Sequence, residues 1–196
     1  KCNYKGVSGT SVAQDFVELP SQIMEHWAVE PEVLKLYAKH YETREVIPDE
    51  LITKIQNQGT FNQGFMTTEL LAAALLDMEL HNLTDTENLN VVAFEKETMD
   101  KLGLIPEIAP RYRATYFSHI IGGYAAGYYS YLWAEVLDTD AFEAFKEHGV
   151  FDKNTADSFR KNILEKGGTE DPMTLYRGFR GADPSLEPLL KNRGLK

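Results

Sequence analysis

The clearest structural signal in this sequence reads Thr67-Thr-Glu-Leu70-Leu-Ala-Ala-Ala-Leu75-Leu-Asp-Met-Glu-Leu80. Leu70, Leu71, Ala74, Leu75 and Met78 recur every three or four residues, which is the spacing of one face of an α-helix. Alanine, leucine, methionine and glutamate are also strong helix formers. The stretch therefore predicts a largely buried helix over residues 67–80 and a fold built from helices.

Helical periodicity continues on both sides of this stretch, and proline repeatedly marks a first helical turn. The predicted helices cover residues 11–27 with a break at Pro20, 31–41, 48–58, 91–101, 124–137, 140–148, 153–165 and 172–179, followed by a tail at 184–190. Gly149 and Gly167 follow two of them at positions where glycine commonly ends helices. Because neither an internal repeat nor a flexible linker divides the sequence, we predict a single all-α region over residues 1–196.

Composition and charge narrow the classes of function. The sequence is 43% hydrophobic, enough for a substantial core, and it has no run of about eighteen apolar residues that would predict a membrane span. Thirty acidic and twenty basic residues give a net charge of -10, which argues against nucleic acid as the main partner. A peptide or small-molecule partner fits this charge better. The single Cys2 excludes an internal disulfide and leaves the cellular compartment open.

A histidine and a Gly-Gly pair precede a tyrosine-rich segment, which reads His119-Ile-Ile-Gly122-Gly123-Tyr124-Ala-Ala-Gly127-Tyr128-Tyr129-Ser-Tyr131-Leu-Trp133. Tyr124, Tyr128 and Tyr131 are four and three residues apart, so a helix that starts at Tyr124 carries all three phenols on one face. Aromatic residues at this spacing more often belong to a core. The glycine pair adds a hinge, however, and a phenol beside a mobile loop can donate a hydrogen bond to a developing oxyanion.

Two acids about one helical turn apart, Asp15 and Glu18, lie just before Pro20. A carboxylate in such a place is more often solvated or salt-bridged than bound to a metal, although zinc accepts Asp or Glu oxygen beside histidine nitrogen. The sequence contains no His-x-x-x-His pair, no Gly-rich phosphate loop, no nucleophile elbow and no Cys-His arrangement. The absence of the last three motifs excludes the corresponding enzyme classes for this stretch of chain, whereas the missing histidine pair indicates only that His26, His40, His81 and His148 are structural or surface residues.

Taken together, the motifs resemble the thimet oligopeptidase family of zinc metallopeptidases. The matching motifs are Ser8-Gly-Thr10, Asp15-Phe-Val-Glu18-x-Pro20-Ser-Gln22, His119-x-x-Gly122-Gly123-Tyr124, Tyr128-Tyr129-x-Tyr131-Leu-Trp133 and Arg180-Gly-x-Asp-Pro184. They occur in the family's order over essentially the whole chain. The resemblance implies a multi-helical, all-α C-terminal portion of a zincin-type metallopeptidase catalytic domain.

The resemblance also implies a zinc ion and its ligands. In this family, two histidines of a His-Glu-x-x-His helix and a glutamate on the next helix hold the metal, and by resemblance that glutamate is Glu18. The family's spacing places the second histidine about seven or eight residues before Lys1, so this chain carries one of the three protein ligands. Without the other two ligands and the glutamate base of the motif, the chain alone is expected to be inactive.

For the tyrosine-rich segment, the resemblance implies catalytic roles in the intact protein. His119, Tyr124, Tyr128 and Tyr131 would bind substrate or stabilise the oxyanion, with Tyr131 and Tyr128 as the main donors. Gly122-Gly123 would form a substrate loop that closes over the peptide.

The implied function is zinc-dependent hydrolysis of short peptides, by a peptidyl-dipeptidase or an oligopeptidase. The expected partners are a peptide substrate and the N-terminal part of the same protein, without nucleic acid or membrane. A non-catalytic peptide-binding or scaffold protein with the same fold is the alternative, and an unrelated all-α interaction domain is a third hypothesis. The sequence leaves open whether dipeptides are released or chains are cut internally, and it leaves the oligomeric state open.

Overall fold

A computed structural model describes residues 2–196, and helices make up its regular structure. The α-helices are α1 Leu19–Val29, α2 Pro31–Tyr37, α3 Asp49–Gln58, α4 Gln63–His81, α5 Val91–Lys101, α6 Ser130–His148, α7 Lys153–Phe159, α8 Pro172–Arg180 and α9 Glu187–Asn192. Short 3-10 turns lie at Lys5–Val7 and Ser118–Ile121, and a π-helical turn, Arg160–Leu164, follows α7. Within the described residues, β-structure amounts to one isolated antiparallel bridge between Lys39 and Val46. The predicted all-α class is confirmed.

The chain groups into two compact units. The first unit holds the residues up to Phe61 together with Trp133–Lys196, and the second holds Asn62–Leu132. The prediction of one all-α region stays a prediction. Across the part of the chain that the structure describes, no helix combines the length and the apolar character needed to cross a membrane.

The core of the first unit draws on α1, α6, α7 and α8. Trp27 of α1 meets Phe142 and Phe145 of α6 edge-on, with ring centroids 4.7 Å apart in both pairs. Its Nε1 donates a hydrogen bond to the carbonyl of Val150 at 2.8 Å. Edge-to-face ring pairs add attraction beyond the apolar area that they bury. The other buried members are Phe16, Leu19, Ile23, Leu137, Ala141, Phe159, Ile163, Leu175 and Tyr176.

A buried carboxylate joins α1 to α6. Asp138 of α6 is 2% exposed and accepts hydrogen bonds from His26 Nε2 at 2.6 Å and from Gln22 Nε2 at 3.0 Å. Burial raises the pKa of Asp138, and the hydrogen bonds from His26 and Gln22 oppose that rise. Because both donors lie on α1, the contact fixes the helix that begins directly after Glu18.

In the second unit, α4 exposes part of the face that its sequence pattern predicts to be buried. Its buried residues are Ala72, Ala73, Ala74, Leu76 and Asp77. Leu71, Leu75 and Met78 are instead 38%, 42% and 38% exposed. The prediction of burial is therefore wrong for these three apolar side chains. The buried face carries three small alanines, so other segments can lie close to the helix backbone there. It also carries Asp77, whose carboxylate accepts hydrogen bonds from backbone amides.

The helix predicted to begin at Tyr124 begins instead at Ser130. Residues 124–129 form consecutive turns, and Ala126 has a left-handed backbone with φ of 51°. A right-handed helix does not continue through that conformation. The amides of Ala126 and Tyr128 donate to the carboxylate of Asp77 at 3.0 and 2.9 Å, so neither is available to a helical ladder. The prediction that Tyr124 and Tyr128 lie on one helix with Tyr131 is therefore wrong.

Once begun, α6 runs without a break to His148, across the gap predicted between residues 137 and 140. Aspartate often favours helix ends, because its carboxylate competes for nearby backbone amides. Here both aspartates of that stretch are occupied by other groups. Asp138 binds α1, and Asp140 accepts a hydrogen bond from the hydroxyl of Tyr176 at 2.6 Å. The helix can therefore keep its own backbone hydrogen bonds.

Tyr176→Phe tests the contact between α8 and α6. Tyr176 is fully buried and Asp140 is 5% exposed, so the change leaves a buried carboxylate short of one hydrogen bond. We expect the free energy of unfolding, measured by urea denaturation, to fall by about 1–3 kcal/mol. Tyr37→Phe is the matched control, because the Tyr37 hydroxyl donates to the carbonyl of Ala28 from a side chain that is 59% exposed. Equal losses in the two variants would contradict the role given to Tyr176.

Candidate active site

An aromatic cluster in the second unit surrounds His119. This histidine lies in the 3-10 turn Ser118–Ile121, and its ring centroid is 5.8 Å from Tyr124, 5.3 Å from Tyr128 and 6.1 Å from Tyr131. All three contacts are edge-on. The structure thus brings together the four residues that the sequence analysis selects as candidate catalytic groups.

The three phenols differ in how deeply they are buried. Tyr124 and Tyr131 are half-buried, and their rings stack with centroids 5.1 Å apart and planes 6° apart. Tyr128 is 3% exposed, and its ring packs edge-on against Phe117 at 4.9 Å. Tyr128 is therefore part of the core of this unit, whereas Tyr124 and Tyr131 keep part of their surface accessible.

Burial also makes the phenol of Tyr128 a weaker acid. Removal from water raises the pKa of its phenol to about 12, and the positive charge of Arg111 opposes that rise. The neighbouring phenols of Tyr112 and Tyr131 and the carboxylate of Glu69 add smaller upward contributions. The Tyr128 hydroxyl therefore stays protonated at neutral pH.

His119 carries a buried polar atom without a partner. Its backbone carbonyl accepts hydrogen bonds from the amides of Gly122 at 3.3 Å and Tyr124 at 3.2 Å, which closes the turn. Its ring Nδ1 is buried and finds no hydrogen-bond partner among the described residues. Most buried polar atoms are paired, so an unpaired one calls for an explanation such as function or a partner supplied from elsewhere.

Tyr112 belongs to the same cluster, although no motif in the sequence points to it. Its ring stacks on Phe117 with centroids 5.1 Å apart and lies 4.8 Å from the ring of His119. Tyr112 precedes the cluster in a segment without helical or strand periodicity. No spacing in the sequence therefore connects it with the tyrosines that follow.

Asp77 is a second residue near the cluster that no motif in the sequence points to. It is fully buried on α4, and it holds residues 124–129 by accepting the amide hydrogens of Ala126 and Tyr128. A signal exists in the sequence, because Asp77 is the one acid within the apolar run 70–78, and such an acid must be either solvated or paired. Its donors from outside α4 are backbone amides, which no residue type in the sequence reveals.

Gly122 and Gly123 lie in the turn between His119 and Tyr124. A Cβ added at either glycine would meet nothing within 4 Å, and neither glycine has a positive φ. The observed conformation therefore does not itself require glycine at these positions. Their role as a substrate loop stays a prediction.

Glu18 lies in the first unit and directly precedes α1. Its side chain is half-buried, and its carboxylate accepts a hydrogen bond from the hydroxyl of Ser21. One carboxylate is a suitable zinc donor but does not make a site, since protein zinc sites use three or four ligands. Over residues 2–196, no group of three or more His, Cys, Asp or Glu side chains could hold a metal ion. The described residues alone therefore do not fit zinc.

Comparison with known proteins adds sequence relationships to this geometry. The model of peptidase family M3 matches residues 1–195. Over 98% of the length of this chain, it is 46% identical to dipeptidyl carboxypeptidase of Escherichia coli. Over 97% of the length of this chain, it is 42% identical to oligopeptidase A of that bacterium. It is 30% identical to thimet-like oligopeptidase of Dictyostelium discoideum over 100% of its length. The chain spans only 29%, 28% and 29% of these relatives, respectively.

The burial of Tyr128 predicts a dependence of stability on alkaline pH. A phenol that ionises near pH 10 in the unfolded chain and near pH 12 in the folded one binds its proton more tightly when folded. Its contribution to stability is therefore complete below about pH 10 and is lost as the pH rises toward 12.

Tyr128→Phe should remove this part of the pH dependence. We expect the difference in unfolding free energy between the variant and the unmodified protein to shift in favour of the variant between about pH 10 and 12. Urea denaturation over that range measures it. Tyr116→Phe serves as the control, because that side chain is 59% exposed. A pH profile unchanged by Tyr128→Phe would contradict the assignment.

Proposed function

The chain belongs to peptidase family M3, and we propose that it forms the C-terminal portion of the catalytic domain of a zinc-dependent peptidase. The proposed substrates are short peptides, cut by a peptidyl-dipeptidase or an oligopeptidase. One observation carries the proposal. In a chain that matches the family over residues 1–195, His119 lies in ring contact with two half-buried phenols, Tyr124 and Tyr131.

Glu18 is the zinc ligand proposed in this chain. Its carboxylate would be one protein ligand, and histidines outside this chain would supply the others. A zinc ion held by this carboxylate and those histidines would supply Lewis-acid chemistry toward the substrate carbonyl and toward a water molecule. Because residues 2–196 offer no complete set of ligands, we expect this chain alone to hydrolyse no peptide.

His119 is proposed as a hydrogen-bond donor to the substrate. Its buried Nδ1 has no partner among residues 2–196, which favours the tautomer that carries the proton on Nε2, since a bare lone pair is less costly to bury than an unmet N–H. In that tautomer, Nε2 can donate to a peptide carbonyl. The role needs no proton transfer at this ring.

The phenols are proposed as stabilisers of the negative charge that develops on the carbonyl oxygen. A positioned donor is more effective in a partly dry environment than in water. Tyr131 and Tyr124 suit this role because they are half-buried, stacked and held against His119. Tyr128 is less accessible, so it contributes chiefly by packing behind Tyr131, with ring centroids 5.1 Å apart.

Glu18→Ala in the full-length protein tests the proposed metal site. Loss of one of three protein ligands should reduce the bound zinc well below stoichiometric and abolish peptide hydrolysis. Atomic absorption measures the metal, and release of a fluorescent group from a quenched peptide measures the activity. Glu25→Ala is the control, because Glu25 is an exposed acid on the same helix.

The outcomes separate the proposed enzyme from its alternative. Normal zinc content and activity in Glu18→Ala would remove Glu18 from the site. A full-length protein that binds peptides but neither holds zinc nor cleaves them would favour a non-catalytic binding protein of the same fold.

Tyr131→Phe tests the proposed oxyanion donor. Loss of one such donor costs about 3–4 kcal/mol of transition-state stabilisation, so kcat should fall roughly 100- to 1000-fold while the zinc content stays unchanged. Steady-state kinetics and a metal assay measure the two quantities. Tyr116→Phe, at an exposed tyrosine outside the ring contacts, should leave kcat as it is. Equal kcat in Tyr131→Phe and the unmodified protein would exclude this role.

A further inference from the structure

One buried acid outside the proposed chemistry accepts hydrogen bonds from the tyrosine loop, residues 124–129. Asp77 of α4 has no exposed surface. Its Oδ1 accepts the amide hydrogen of Ala126 at 3.0 Å, and its Oδ2 accepts that of Tyr128 at 2.9 Å. His81, one turn along α4, places its Nδ1 2.9 Å from Oδ1 of the same carboxylate. Both carboxylate oxygens are therefore engaged by donors in the second unit.

These hydrogen bonds hold a conformation that the loop does not favour by itself. Ala126 has φ of 51°, in the left-handed region where an alanine Cβ is unfavourably close to the following carbonyl. Such a residue persists only when its surroundings determine it. The two amides on either side of this bend are the ones that Asp77 accepts, so the carboxylate acts at the point where the backbone is strained.

The position of this bend determines where the proposed site residues lie. The amide of Tyr128 is fixed by Asp77, and its ring contacts both His119 at 5.3 Å and Tyr131 at 5.1 Å. Tyr124 enters the same loop from its other end and stacks on Tyr131. A shift of the bend would therefore move Tyr124 and Tyr128 relative to His119.

We propose that Asp77 is a positioning residue of the active site, which holds the tyrosine loop so that Tyr124 and Tyr131 face one substrate carbonyl. Asp77 touches no substrate and acts only through the backbone of Ala126 and Tyr128. This inference rests on the proposed peptidase function. Its structural part, the control of the loop by the carboxylate, can be measured separately from activity.

Asp77→Asn is the sharpest change, because it keeps the shape of the side chain and removes one of its two acceptors. The NH2 group of the new asparagine would face a backbone N–H of the loop, and two donors cannot form a hydrogen bond with each other. In the full-length protein, we expect the amides of Ala126 and Tyr128 to exchange with solvent deuterium at least about tenfold faster. We expect kcat to fall roughly 100-fold, with KM and zinc content nearly unchanged, because a small misplacement of positioning groups has that effect.

Leu76→Ala is the matched control for lost stability. Leu76 is the neighbouring residue on α4, is fully buried, and packs with Ala72 and Met99 in a separate cluster of the same unit. Its truncation should destabilise the unit and leave kcat and the relative protection of the loop amides unchanged. An equal fall of kcat in Leu76→Ala and Asp77→Asn would reduce Asp77 to a structural role and overturn the proposal.

A second pair of variants tests the loop if Asp77→Asn does not fold. Ala126→Gly accepts the left-handed backbone freely, whereas Ala126→Val opposes it, since β-branched residues rarely adopt positive φ. The proposal expects fast exchange at Tyr128 and low kcat in Ala126→Val, with both near normal in Ala126→Gly. Identical kcat in the two variants would overturn it. Failure of the proposed function looks different, because the unmodified full-length protein would then cleave no peptide at all.

Discussion

A carboxylate buried in the middle of a helix needs hydrogen-bond donors that the helix backbone does not supply, because the helix uses its own amides internally. Within each unit, this requirement brings a distant segment of the chain against a helix. In the second unit, Asp77 accepts two backbone amides of residues 124–129, besides its contact with His81 on the same helix, and Glu95 accepts the amide of Ala114 at 2.7 Å. In the first unit, Asp138 takes its donors from α1. Each acid therefore selects one segment to pack against its helix, whereas apolar contacts are non-directional and select less strictly.

Much of the fold can be predicted from the sequence because helix periodicity and capping are local. The side chain of Asn90 accepts the amides of Val92 and Ala93, and α5 begins directly after it, at the predicted residue. The start of α6 is different. It depends on the left-handed backbone of Ala126, which is held by Asp77 on another helix. Helical spacing cannot reveal a contact between residues so far apart in sequence, and the predicted helix therefore starts too early.

The candidate site shows the same division between local and distant information. The spacing of Tyr124, Tyr128 and Tyr131 predicts their convergence, although they meet through a turn and a helix start rather than along one helical face. Turns, like helices, bring residues three or four apart close together, so the spacing remains informative. Glu18 came from family resemblance, because one carboxylate without neighbouring ligands gives no geometric signal. Burial then separates the phenols in a way that spacing does not.

The buried phenol of Tyr128 limits what the aromatic cluster can do in the proposed reaction. With its pKa raised to about 12, Tyr128 is neutral at physiological pH, and a neutral phenol donates hydrogen bonds but is a poor acceptor of protons. Its ring also keeps water from one side of Tyr131, which strengthens hydrogen bonds donated there. The cluster is therefore suited to stabilise negative charge. A phenol with a pKa this high does not take a proton from water at neutral pH, so in the proposed enzyme that step falls to a group other than Tyr128.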